Sequence, residues 1–275
     1  MSYRSAEKNC TQAQIKACAD QESVFKITLW TCIRQRFLRP FSVKPGAGTL
    51  LQPNRRETIF DLSAIERSLL EVEANFATIN SQIGSPREPL DRLAVDHMLS
   101  GYVFVEKLID GKIELFSFGQ LRMFLELNAL VLCGRDKQVR LDSAQHLAAT
   151  DKYFFDNEDG GIRDVVEWHA LHANESSWMR AAGVYIRILS EPELFIEGNH
   201  RTGTLMMSYI LAHDGHPPFV LNAGGAKDFF DWSTLFSTKR KTSFLLRWQM
   251  PWLRRRFAAF LAAQANPGFL RPHSV

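Results

Sequence analysis

No run of about 18 apolar residues occurs in this sequence, so no transmembrane segment is expected. The opening stretch MSYRSAEKNCTQ holds no apolar signal core. Cysteine is scarce. The four present, Cys10, Cys18, Cys32 and Cys133, have no metal-ligand spacing and are too few in 275 residues for a disulfide framework. Charge of one sign is also lacking. With 33 Lys and Arg against 30 Asp and Glu, the formal charge is only +3, and no global field commits the chain to nucleic acid. What is abundant is apolar surface. A hydrophobic fraction of 45%, with 20 Phe, argues for a folded chain with a substantial core and against disorder. These features fit a cytoplasmic protein, or equally a secreted bacterial effector acting in another cell's cytosol.

Three regions differ in character: 1–57, a helical domain over 58–225, and a basic, Trp-rich helical segment over 226–275. In the first, residues 25–39 mix Trp30, Ile33, Phe37 and Leu38 with Arg34, Arg36 and Arg39. A peripheral strand or short helix is favoured there over a membrane-surface role. In the second, Leu62, Ile65, Leu69 and Val72 recur at helical spacing, and helices are expected over 61–75, 90–108, 118–132, 162–173 and 178–189. Pro86 and Pro89 break the chain between the first two, Ser117 is placed to cap the third, and Gly134 to end it. Residues 135–161 read as a loop carrying a short β-hairpin, with a plain surface loop as the alternative. His169 and His172 share a helix face, which suits a metal, but no third ligand has fitting spacing and a hydrogen-bonded pair is favoured. His213 and His216 read as a polar turn, ended by Gly215 and the prolines Pro217 and Pro218.

The C-terminal segment sets Trp232, Trp248 and Trp252 among Lys239, Arg240, Lys241, Arg247 and Arg254 to Arg256. Such a pattern can serve nucleic acid or an anionic membrane surface. No nucleic-acid motif accompanies it, and a helix packed by its aromatic residues on the core is favoured. Pro251 is expected to start or kink that helix, and the tail from Asn266 to fray.

The chemistry-bearing stretch is LFIEGNHRTGT, residues 194–204, between an amphipathic segment and an almost wholly apolar one. Gly198 and Asn199 suit a tight turn, and a helix is expected to begin near 199–201. The first N–H groups of a helix have no partner inside it, and with the helix dipole and Arg201 they form a ready anion site. Glu197, just before the turn, is placed to hold a divalent cation on the same anion.

This stretch resembles the signature of the Fic (fido) family, H-P-F-x-[D/E]-G-N-G-R-x-x-R. Phe195, Glu197, Gly198, Asn199 and Arg201 fall on matching positions. The order of helices, hairpin, lead-in helix and apolar helix resembles a Fic core over about 90–221. The resemblance implies a mostly α fold with a small β-hairpin flap that holds a target segment. It also implies transfer of AMP, or a related phosphate-containing group, from a nucleotide donor to a hydroxyl of a target protein. By the same resemblance, Glu197 would hold Mg²⁺ on ATP or another diphosphate donor. Gly198, Asn199, His200, Arg201, Thr202 and Gly203 would line the phosphate site.

Four signature positions differ. Glu193 stands for the family's His, Leu194 for its Pro, His200 for its second Gly and Thr204 for its last Arg. Thr204 is too short and uncharged to hold a distal phosphate. Either Glu193 or His200 would have to act as the base, a role worth about 10²- to 10⁴-fold. Alternatively, Glu193 and Glu197 grip one metal together. His200 could also contact a phosphate or simply fill space. Three functions therefore stand open: a transferase with a non-standard site, a Fic-like pseudoenzyme that binds a nucleotide or phosphorylated partner, and an interaction module using the C-terminal segment. No glutamate switch of the family's inhibitory type is expected, because the nearest fragment, residues 80–84, has Gly84 where the Glu belongs.

Overall fold

Every residue from Thr202 to Ala212 is buried, which a helix achieves only when other helices cover it on all sides. A computed structural model of the protein describes residues 59–88, 90–157, 160–241 and 244–271, with side chains of 244–248 excepted. All of these belong to the second of two compact units, Arg56–Val275. The readings made for 1–57, including three of the four cysteines, lie outside the described residues, as do the side chains of Arg247 and Trp248.

Ten α-helices make up the described chain. They are α1 (Leu62–Ser81), α2 (Arg92–Asp110), α3 (Leu121–Cys133), α4 (Lys137–Asp142), α5 (Ala144–Asp156), α6 (Ile162–Leu171), α7 (Ser177–Leu189), α8 (Asn199–His213), α9 (Ala226–Ser237) and α10 (Phe244–Ala263). The central helix is α8. It packs most extensively on α7 and also on α2 and α3, while α6, α9 and α10 cover the rest of α7. The approach of α7 to α8 is close because Gly203 faces Tyr185, where an added Cβ would come within 2.8 Å of the ring. The fold is mostly α. Among the described residues there is no strand, only isolated bridges between Phe60 and Leu270 and between Glu191 and Arg240.

The caps explain most boundaries. Asp61 accepts from the Ala64 N–H and starts α1, Asp91 starts α2 in the same way, and Ser176 starts α7. Ser117 makes no capping bond. A short 3₁₀ turn, Phe118–Gln120, follows it, and α3 begins only at Leu121.

The expected hairpin over 135–161 is not found; α4 and α5 occupy that segment. The alternation in Val139, Arg140 and Leu141 suggests a strand, but Asp136 caps the Gln138 and Val139 N–H groups and commits the turn to helix. Arg140 then fixes α4 on α3 through a two-pronged pair with Glu126 at 3.0 and 2.9 Å. In α5, Thr150 and Phe154 supply the buried face.

The C-terminal segment joins the same core. Phe229, Phe236, Phe257 and Leu261 are buried with the residues of α7 and α8, each full burial contributing about 1.5–3 kcal/mol. Pro251 lies inside α10 and does not start it. Nor is the tail frayed as far as Arg271. Asn266 caps a 3₁₀ turn, Phe269 is buried, and Arg271 N–H donates to Ile59 at 3.0 Å. No described helix is long and apolar enough to cross a membrane.

Candidate functional site

The turn before α8 depends on Gly198, whose φ of +79° lies in the left-handed region. Its α-carbon also faces Asn128, and a Cβ there would approach the amide nitrogen to 2.9 Å. Asn128, on α3, donates to the Glu197 carbonyl at 2.8 Å and to the Thr202 hydroxyl at 3.1 Å, which ties the loop to the bundle. The first intrahelical bond of α8 runs from Thr202 N–H to the Gly198 carbonyl. The N–H groups of Asn199, His200 and Arg201 find no backbone acceptor among the described residues.

Asn199 closes the loop with its own side chain. Its Oδ1 accepts from Phe195 N–H at 2.9 Å, and its Nδ2 donates to the Phe195 carbonyl at 2.7 Å and to Glu193 Oε2 at 2.8 Å. The Asn199 amide is therefore spent inside the loop, and only its backbone N–H is left for a ligand. Thr202 and Gly203 are likewise withdrawn: both are buried, the first on Asn128 and the second on Tyr185, and neither lines the adjoining cavity.

That cavity has a volume of about 620 Å³. Its polar lining is residues 197–201 with Arg87, Glu88 and Asp91, and its apolar lining includes Leu69, Met98 and Phe229. Arg201 is half-buried there and gives one guanidinium bond to the Val131 carbonyl at 3.0 Å. Arg87 arrives from the loop between α1 and α2. Asn80 pins its backbone by reciprocal bonds of 2.7 and 3.2 Å. Its guanidinium reaches Thr234 on α9 at 3.0 Å and His200 Nε2 at 2.8 Å. A guanidinium only donates, so His200 Nε2 accepts and the ring proton sits on Nδ1. Burial, with Arg87 and Arg201 nearby, lowers the His200 pKa to about 3 and keeps the ring neutral. Both the His200 Nδ1 and the Arg87 Nε are buried without a hydrogen-bond partner among the described residues. Two cavity residues thus each carry one unmatched donor, and neither nitrogen is exposed to the cavity.

The lining holds two arginines against three carboxylates, Glu88, Asp91 and Glu197. With His200 neutral the formal charge is 2 − 3 = −1. A bare polyphosphate would meet net repulsion, and a divalent cation would remove it. Glu197 fits the part of cation holder. Its side chain is 59% exposed at the cavity, and one carboxylate oxygen lies 3.6 Å from His146 Nε2. No group of three or more His, Cys, Asp or Glu among the described residues is arranged as a metal site. Any ion here would complete its shell with ligand oxygens and water.

Glu193 does not line the cavity. Burial raises its carboxyl pKa, against the hydrogen bond from Asn199. Its segment is tied on both sides, by the Tyr153 hydroxyl to the Glu193 carbonyl at 2.9 Å and by Lys241 Nζ to the Pro192 carbonyl at 2.6 Å. Glu193 and Glu197 therefore face different surroundings and do not form a pair. Arg87, Asn80, Asn128 and Tyr153 are participants that sequence reasoning missed.

The other histidine candidates have local partners. His172 stacks on Trp168 with ring centroids 4.0 Å apart, and His169 on Phe116 at 4.1 Å. Burial beside Arg180 lowers the His169 pKa to about 4. His213 pairs with Glu114 at 3.2 Å and Asp214 at 3.3 Å, as a polar turn would. No protein-family profile matches the chain, and no curated protein matches it.

Proposed function

We propose that the chain is a Fic-like protein whose cavity at the start of α8 binds a nucleotide or another diphosphate-bearing compound together with Mg²⁺. One observation carries this reading. A left-handed turn at Gly198 opens three backbone N–H groups at a cavity that Arg87, His200 and Arg201 also line. In this reading the N–H groups and Arg201 hold phosphate oxygens, and the apolar side chains of the lining receive the remainder of the ligand. Glu197 holds the metal, which supplies neutralisation of the phosphate charge. Residues 199 to 201 serve through backbone and guanidinium, while Asn128 and the Asn199 side chain keep the turn in place.

The binding-only form of this function is favoured over transfer, because neither candidate base is free. Glu193 is engaged by Asn199 outside the cavity lining, and His200 is engaged by Arg87. A second reading, transfer to a protein hydroxyl, draws on the raised pKa of Glu193, which makes it a better proton acceptor than an ordinary carboxylate. In that reaction the target oxygen bonds to phosphorus as the bond to the leaving phosphate breaks, and Glu193 takes the hydroxyl proton.

The test is a thermal-shift screen of nucleotides and other diphosphates, with and without Mg²⁺, on the wild type and on Arg201→Ala. A ligand at about 100 times its Kd stabilises the fold by about 2.7 kcal/mol. A Mg²⁺-dependent shift that the variant lacks is the expected result. No shift with any compound overturns the proposal. Incubation of the shifting ligand with candidate target proteins, followed by mass spectrometry, then separates binding from transfer.

A further inference from the structure

A second cavity, of about 630 Å³, opens elsewhere, between α6, α7 and α10. Nothing in the proposed nucleotide site uses it, and its chemistry is the opposite of the first. Arg187, Lys241 and Arg254 line it against a single carboxylate, Asp164, so the lining carries 3 − 1 = +2. Two of the cations have partners. Arg187 pairs with Asp164 at 2.6 Å, and Arg254 pairs with Glu175 at 2.9 Å. Counting Glu175, the balance is still 3 − 2 = +1.

Lys241 is the remainder. Its Nζ donates to the carbonyls of Gly160 and Pro192, both neutral, and no carboxylate lies within ion-pair distance among the described residues. Burial lowers its pKa to about 8, against the longer-range attraction of Asp164 and Glu193. The two arginines also lie over one ring. The Cζ atoms of Arg187 and Arg254 are each 5.2 Å from the Trp168 centroid. Ile186, Met250 and Pro251 complete an apolar wall. A cavity of this size, with an apolar wall beside convergent charged groups, suits a small amphipathic molecule.

We propose that this cavity is a second ligand site, for a small organic anion that carries a carboxylate or phosphate on an apolar or aromatic group. The anionic group meets the charge of Lys241, and the apolar part lies against Ile186, Met250 and Pro251. Because Lys241 also holds the Pro192 carbonyl, it links the cavity to the segment that leads into the signature loop.

The experiment is calorimetric titration of the full chain with phenyl phosphate, benzoate and benzyl alcohol. It is done on the wild type and on Arg201→Met, which weakens the first cavity, and repeated with Lys241→Met and Met250→Trp. Saturable binding of phenyl phosphate, benzoate or both is expected in the wild type and in Arg201→Met, and the stronger of the two identifies the anionic group. Benzyl alcohol, which lacks the charge, should not bind. Lys241→Met and Met250→Trp should each weaken the anion by about tenfold or more, the usual consequence of losing one charge-assisted bond or its space. If Lys241→Met does not fold, Met250→Trp decides alone, since it fills the cavity and keeps every charge. The proposal is overturned by the absence of saturable anion binding, by equal binding of the alcohol, by binding that disappears in Arg201→Met, or by affinity unchanged in the cavity variants.

Discussion

Arg87 Nη1 lies 2.8 Å from His200 Nε2, although 113 residues separate them in sequence. The contact fixes the imidazole tautomer and helps hold the ring neutral, since a positive neighbour opposes protonation. Arg87→Met should therefore raise the His200 pKa above its value of about 3. Burial, the larger cause, remains, so the pKa should stay below the ordinary histidine range. A histidine-resolved NMR titration of the two proteins reads this directly. An unchanged His200 titration would mean that Arg87 does not govern the ring. The same variant loses a cavity donor and should bind the diphosphate ligand more weakly.

Depressed histidine pKa values carry a stability consequence of definite sign. His169 at about 4 and His200 at about 3 bind protons less readily in the fold than in the unfolded chain, where the ordinary value is about 6.5. Below about pH 6.5 the unfolded chain takes up protons that the fold refuses, so stability falls as pH drops toward the folded values. Glu193 opposes this. Its raised pKa favours the fold at low pH, and that contribution is lost as pH rises through the folded value. His97 and Asp214, whose pKa values are also lowered, act in the same direction as the two histidines, and urea midpoints measured between pH 7 and pH 4 should decrease. His200→Gln should show a shallower decrease. Parallel curves for the two proteins would exclude His200 as a contributor.

The two halves of this site were unequally legible in sequence. The α8 helix announced itself by being apolar on all faces, and Gly198-Asn199 by being the cheapest residues for a tight turn. Those signals are local and survive without tertiary information. Arg87 stood in a proline-flanked break with nothing to mark it, because its role depends on α9 and α8 converging on that loop. Asn128 sits in the apolar run Leu127–Cys133, and only the fold brings it to the Glu197 carbonyl. The hairpin reading failed for a related reason. Val139 and Leu141 alternate like a strand, but the Asp136 cap and the Arg140–Glu126 pair select a short helix. In that segment capping chemistry outweighed periodicity.

Gly203→Ala tests how tightly α7 and α8 are pressed together. The new Cβ would lie 2.8 Å from Tyr185 Cδ2. The ring has little freedom to yield, because the Tyr185 hydroxyl is held 2.6 Å from the Ser233 hydroxyl and the residue is fully buried. Helix propensity favours alanine by about 1 kcal/mol, while overpacking costs about 1–3 kcal/mol. Net destabilisation is expected from the denaturant midpoint. A stabilised variant would show that the interface has slack.

Asn199→Asp probes the loop lock. The substitution keeps the acceptor for Phe195 N–H but loses the donors to the Phe195 carbonyl and Glu193. It also sets a second carboxylate where the amide stood, 2.8 Å from Glu193 Oε2. Loss of buried hydrogen bonds costs about 1–3 kcal/mol, and the like-charge contact adds to it at neutral pH. Because the carboxyls can share a proton, the deficit relative to wild type should shrink as pH falls. Asn199→Ala, which introduces no charge, should show a deficit that varies less with pH. Equal pH dependence in the two variants would remove Glu193 from the account.

The charge count of the first cavity makes its strongest prediction. Arg87 and Arg201 face Glu88, Asp91 and Glu197, so a diphosphate entering alone adds negative charge to a lining that is already negative by one. Mg²⁺ lowers that cost twice, by neutralising phosphate oxygens and by engaging Glu197. ADP should accordingly bind the wild type much more tightly with Mg²⁺ than in EDTA. In Glu197→Gln the lining becomes neutral, 2 − 2 = 0, and the metal loses its carboxylate. Binding in EDTA should then improve while binding with Mg²⁺ weakens, so the ratio of the two Kd values contracts from both directions. Arg201→Ala should instead weaken ADP in both conditions, because it removes a phosphate donor and not a metal ligand. If Glu197→Gln leaves the ratio at its wild-type value, the carboxylate does not hold the ion, and the metal part of the proposal fails while the phosphate part stands on Arg201.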